Sequence, residues 1–359
     1  MNVLRTFGVK GENMRRRIRP SVRFAATAIA LALVAVACGS SSTASKSTSA
    51  PAGTQGAATG AVGTNPAAAG GGAGIKLAVN PWTGSAVNAN VAKIVLETKL
   101  GTPTTLVPLD ENASWVGLDA GDLDANLEIW PSGHAADYQN YVTQKKSVVD
   151  LGLLGPKAKI GWYVPSFVID QHPTLATWDG FKDPAMAKLF ATANTGDKGQ
   201  FLMGDPSYVT YDEQIIKNLN LPLQFVVAGS EAALITAIQQ AETDKTPLLL
   251  QFWQPHWLQS KVKLTEVKLP AVTDACLASA KAADGKYACD YAPDPLYKAA
   301  NAGLEAKNKK AFDFLKKFQL TTDQQNTIAA MIDSDKMDPA AAAQKWIAAN
   351  PDIVTSWLA

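Results

Sequence analysis

The chain has 359 residues, 47% of them hydrophobic, and its 33 basic and 32 acidic residues leave a net charge of +1. That balance, with no basic stripe beyond the N-terminal region, argues against a nucleic-acid partner, and the length suffices for two lobes with separate cores. Only three histidines are present and no G-x-S-x-G or H-E-x-x-H pattern occurs, so the chain does not read as an enzyme and no metal or cofactor is expected.

In chain order, the first element is a basic stretch, Met14 to Arg23, followed by an apolar run from Phe24 to Ala37. The run has the length of a signal-peptide core and is too short to span a bilayer, so residues 1–37 are expected to be an export signal. Residues 1–13 add nothing to such a signal, which makes Met14 an alternative start. The run ends in Ala35-Val36-Ala37-Cys38-Gly39. This resembles a bacterial lipobox with Ala35 in place of the usual leucine, and it makes Cys38 the expected lipidated first residue of the mature chain; cleavage of an ordinary secreted protein nearby is the alternative. Residues 38–74 are almost all Gly, Ala, Ser, Thr and Pro, a composition too poor in large apolar groups to offset the entropy of ordering. They are read as a tether that holds the rest near a membrane without embedding it.

From Ile75 onward strand and helix signals alternate. "IKLAV" (75–79) is a strand; Val87, Val91, Ile94 and Val95 then share a helical face that Gly101 can end. "TTLVPL" and the end of "AGDLDANLEIW" are the next strands, followed by "KIGWYVP", "GQFLMGDP" and "LQFVVAG". Ser230 caps a helix with Leu234, Ala237, Ile238 and Ala241 on one face, and "TPLLLQFW" follows as a fully apolar strand. This βαβ pattern implies parallel sheets covered by helices. Cys276 and Cys289 are the two cysteines left in an exported chain, without histidines nearby to complete a zinc site, so they are expected to form a disulfide. The tail from Asp294 reads as mainly helical, with Asp338-Pro339 as a helix start.

Four of these strands end in aromatic residues: Trp82, Trp130, Tyr208 and Trp253. Ligands of open α/β sheets sit beyond the carboxyl ends of strands. An aromatic face attracts a cation, and a quaternary ammonium, which has no N–H to offer a carboxylate, is matched by rings in both charge and methyl surface. Three or four rings at ~0.5–2 kcal/mol each, with burial of the methyls, would support micromolar binding. A zwitterion would also need an anion site. The segment "GDPSYVTYDEQ" offers one, because the backbone N–H groups of Val209 and Thr210 precede a helix start; His134 could add a donor. Trp115, Trp162 and Trp178 are assigned to core, Trp257 to packing, and His256 to positioning its own segment. Tyr211 stays open.

These residues also carry a resemblance. "NPWTGSAVNANVAKIVLE", "SWVGLDAGDLDANLEIWPSGH", "GDPSY" and "FWQPHW" together are similar to motifs of the substrate-binding proteins of glycine betaine/proline betaine ABC transporters. The resemblance implies a two-lobed α/β fold of the periplasmic-binding-protein type II class, with lobe one at 75–157 plus 261–359, lobe two at 158–260 and two crossings as a hinge. It implies cage walls at Trp130 and Trp253, with Trp82 or Tyr208 or both completing the cage, and carboxylate contacts from the N–H groups of Val209 and Thr210. The family's histidine corresponds to His134, although "WPSGH" is one residue shorter than the family pattern. With the lipobox-like segment and the tether, the expectation is an extracytoplasmic, lipid-anchored monomer; the resemblance implies that it delivers a betaine-type osmoprotectant to membrane permease subunits. A choline or carnitine binder, or a surface receptor that senses such ligands without transport, are the alternatives.

Overall fold

The computed structural model describes residues 73–282 and 284–359; the signal segment, Cys38 and nearly all of the expected tether lie outside the described residues. None of the described helices is long and apolar enough to cross a membrane.

Nine strands run in the order β2-β1-β3-β9-β4-β7-β5-β6, with β8 also paired to β4. The first half contains β1 (Ile75–Val79), β2 (Thr104–Pro108), β3 (Ala125–Ile129) and β9 (Asp294–Asn301); the second contains β5 (Gly199–Met203), β6 (Leu223–Val227), β7 (Leu250–Gln254) and β8 (Leu264–Val267). They meet along the 18-residue β4 (Val148–Pro165). Its first part, Val148 to Ala158, pairs with β9, and from Lys159 on it pairs with β7 and then β8.

The βαβ units form as expected. Helix α1 (Thr83–Leu100) ends where Gly101 takes a left-handed φ of 63°. Helix α2 (Glu111–Ala120) starts at Asp110, whose side chain accepts from Ala113 N, and Ser230 caps the helix Glu231–Asp244 in the same way. Within each unit the pairing is parallel, β1 with β2 and β3, and β5 with β6 and β7. The sheets are nevertheless mixed, because β9, β7 and β8 all pair antiparallel with β4. The tail also departs from the sequence reading: Asp294–Asn301 is strand β9, and helices begin only after it.

Residues 264–267, expected with lobe one, lie on the sheet of the second half through β8. Between β8 and β9 the chain runs through the helix Asp274–Ala282 and the disulfide Cys276–Cys289. Tyr287 and Tyr291 then stack against Tyr211. The chain thus rejoins the first sheet at Asp294.

Candidate functional site

Three tryptophans and a tyrosine are delivered to one place by strand ends. Trp82 sits between β1 and α1, and Trp130 sits between β3 and helix α3 (Pro131–Asp137); Trp253 lies near the end of β7, and Tyr208 follows β5. All four line a single cavity. The Tyr208 ring stands edge-on to both Trp82 (centroids 6.0 Å apart) and Trp253 (5.9 Å). Its hydroxyl donates to Pro81 O at 3.2 Å, tying the second half to the first. A second approach between the halves depends on Gly133, where a Cβ would come within 3.1 Å of Val209.

The indoles are held from behind. Trp82 Nε1 and Trp130 Nε1 both donate to Glu128 Oε1, at 2.7 and 3.2 Å. Asn88 and Gln325 donate to Glu128 Oε2 at 2.6 and 2.9 Å. Gly84 makes room for this carboxylate, since a Cβ there would lie 2.9 Å from Glu128 Oε2. Fixing each ring through its N–H leaves its face free for the cavity.

The polar lining is Glu111, Gln251, Val209 and Thr210, with Ile160 as an apolar floor. Val209 N points at Glu111 Oε2 across a long 3.4 Å. His134, expected as a donor to the ligand, does not line the cavity. It is 1% exposed and stands behind Glu111. Its Nδ1 is 2.8 Å from Asp137 Oδ2; its Nε2 is 3.0 Å from Glu111 Oε1, close enough for an ion pair but not aligned as a hydrogen bond. Burial works against the imidazolium, yet the contacts with Asp137 and Glu111 outweigh it and raise its pKa to about 9. His134 thus stands against Glu111 and Asp137 and reaches the cavity only through Glu111.

A polar clasp joins the halves beside the cavity. Glu231 Oε2 accepts from Thr83 N at 2.7 Å and lies 2.9 Å from Thr83 Oγ1. Asp333 takes Trp257 Nε1 at 2.7 Å and lies 2.8 Å from Thr83 Oγ1. His256 Nε2 is 3.1 Å from Glu231 Oε1, while its Nδ1 accepts from Leu258 N at 3.1 Å. Glu231, His256 and Asp333 are spaced as metal ligands could be. The donor set does not fit: Nδ1 accepts a backbone proton, so Nε2 carries the ring proton and has no lone pair for a metal. His256 thus positions its own segment, as expected.

Trp115 and Trp162 are buried core residues, and Trp257 packs at the clasp. Trp178 is only half-buried, with Lys182 Nζ 4.3 Å from its ring centroid. Tyr211 donates to Ser132 O across the halves at 3.2 Å. Glu111, Glu128 and Gln251 escaped the sequence reading. Glu128 and Gln251 had a signal, as polar residues flanked by apolar ones inside strands that are otherwise buried. Glu111 had none, since an acidic residue in the first turn of a helix is ordinary.

Residues 73–349 match the family described as the substrate binding domain of ABC-type glycine betaine transport system. The chain is 28% identical over 286 residues to the trimethylamine N-oxide-binding protein of Pelagibacter ubique, covering 78% of this chain and 89% of that one. Among solved structures, it is similar to lactococcal OpuAC closed around glycine betaine (TM-score 0.62, 21% identity, 79% of this chain and 99% of that one). It is also similar to an ABC-transporter choline-binding protein in complex with choline (TM-score 0.63, 20% identity, 80% and 91%). These two likenesses establish the two-lobed fold.

Proposed function

The chain belongs to the family of substrate-binding domains of ABC-type glycine betaine transport systems, and from that premise we propose that it captures a quaternary ammonium compound in an aromatic cage and delivers it to an ABC importer. Members of this family are solute-binding proteins of transporters, not enzymes. One observation carries the reading: Trp82, Trp130, Tyr208 and Trp253, from both halves of the fold, line one cavity. The rings supply a surface of negative quadrupole potential and apolar contact, which a methylated cation fills and a protonated amine, better solvated by water, does not. Both Trp82 and Tyr208 belong to the cage. Ligand in the cage bridges the halves and favours the closed form that permease subunits recognise. The basic and apolar N-terminal run and the lipobox-like Ala35 to Cys38 support a protein held outside the cytoplasm by a lipid anchor; replacing Cys38 by Ala should move it from the detergent phase to the aqueous phase on phase partitioning.

Calorimetric titration with tetramethylammonium, choline, carnitine, glycine betaine and trimethylamine N-oxide tests the cage. At least one of them should bind in the micromolar range or tighter. Trp130→Ala and Trp253→Ala should each weaken that binding at least about tenfold, the loss of one ring and its methyl contacts, with far-ultraviolet circular dichroism unchanged. Wild-type affinity in either variant removes that residue from the site.

A further inference from the structure

The polar end of the cavity is built from acceptors, and this bears on which class of quaternary ammonium compound it takes. We propose that Glu111 makes the cavity select ammonium ions whose far end is a hydrogen-bond donor, of the choline type, over zwitterions that end in a carboxylate. The inference rests on the cage reading above and deepens it.

Three observations carry it. The first is occupancy of the donors. A ligand carboxylate would be expected to take the Val209 N–H and a histidine proton, but Val209 N is directed at Glu111 Oε2 and His134 Nε2 lies 3.0 Å from Glu111 Oε1. The protein's own carboxylate holds the place of the ligand's. The second is Gln251, 2% exposed and lining the cavity, whose Oε1 has no hydrogen-bond partner in the protein. A ligand hydroxyl can donate to it. A primary amide can also rotate and present its NH2, so Gln251 accommodates either ligand and Glu111 decides between them.

The third is charge. His134 is shared between two carboxylates, Glu111 and Asp137. One buried cation thus serves two carboxylates, and Glu111 is left without a counter-charge of its own. A net cation entering the cage lowers this imbalance, whereas a zwitterion brings another carboxylate within reach of Glu111, where like charges repel and neither can be well solvated. A hydroxyl instead donates to Glu111, and a hydrogen bond to a charged group is the stronger kind.

The test is calorimetric titration of the purified protein near neutral pH with tetramethylammonium, choline and glycine betaine, repeated with choline and glycine betaine on Glu111→Gln. The wild type should bind choline about tenfold or more tighter than glycine betaine, the worth of one charged hydrogen bond. In Glu111→Gln that preference should shrink about tenfold or invert, because the amide can donate to a carboxylate. Glycine betaine binding the wild type as tightly as choline overturns the inference, and so does an unchanged preference in the variant. The wild-type comparison decides even if Glu111→Gln does not fold. Tetramethylammonium has no polar end: if it binds and choline shows no advantage, only the role of Glu111 is lost, and if none of the three binds, the cage itself is wrong.

Discussion

At Glu128 four neutral donors converge on one fully buried carboxylate, two of them the indole N–H groups of Trp82 and Trp130. Burial raises its pKa from the ordinary 4.5 to about 7; the donors from Trp82 and Trp130 pull it down and the nearby Glu231 pushes it up. Because the folded value exceeds the unfolded one, this group's contribution to stability is full below about 4.5 and is lost as pH rises towards about 7. Ligand affinity has the opposite sign. A cation between the two indoles favours the ionised carboxylate, so binding expels a proton and tightens as pH rises from about 5.5 to about 8. The affinity for a quaternary ammonium ion should rise up to about tenfold for each unit by which the ligand lowers the pKa of Glu128, and Glu128→Gln should flatten the profile. His134, raised to about 9, stays charged across this window and supplies no competing slope. Titrations at several pH values with equal slopes in wild type and variant would remove Glu128 from the linkage. The four aromatics that line the cavity were legible in the sequence because each lies at or just beyond the end of a recognisable strand. Glu128 was harder to see, because a glutamate in a strand becomes intelligible only when its donors, from α1 and from Gln325 far along the chain, are brought to it.

Among the elements, the N-terminus of α1 does more than cover a sheet. Its first residue, Thr83, gives both its N–H and its hydroxyl to the clasp, where the positive end of a helix meets the buried Glu231 and the half-buried Asp333. The clasp spans the two halves, so it should stabilise the closed form without touching ligand. Thr83→Val keeps shape and backbone donor but removes the hydroxyl, leaving acceptors on Glu231 and Asp333 without it. Ligand affinity should fall about fivefold, from roughly 1 kcal/mol of lost hydrogen bonding, while the pH profile set by Glu128 persists. An affinity equal to wild type would mean that the clasp is equally made with the halves apart. Helix starts such as Ser230 and Asp338 were readable because capping is local chemistry. Strand β9 was not. It carries Lys298, which reads as a surface residue yet is 0% exposed because its ammonium donates to the carbonyls of Leu315, Lys316 and Phe318. The length of β4 was hidden for a related reason: its first part is held by pairing with β9, more than a hundred residues away in sequence.

At the scale of the whole molecule, the two halves are joined by two crossings of unequal character. One is the unbroken β4, which changes partners between Ala158 and Lys159. The other is the segment between Val267 and Asp294, stapled by the Cys276–Cys289 disulfide and packed through Tyr287 and Tyr291 onto Tyr211 of the second half. Those contacts tie that segment to the second half, so a hinge between the halves would flex next to Asp294 and Ala158. The cavity draws Trp82, Glu111 and Trp130 from the first half and Tyr208, Gln251 and Trp253 from the second. A ligand that needs both sets of contacts binds the closed arrangement and shifts the population towards it. Ligand at a hundred times its Kd should therefore stabilise the protein by about 2.7 kcal/mol and also reduce the radius of gyration in solution scattering. Each effect should weaken in Trp253→Ala in step with its loss of affinity. Stabilisation without compaction would mean that the free protein is already closed, and the ligand would then have to enter by a path that leaves the Thr83–Glu231–Asp333 clasp intact.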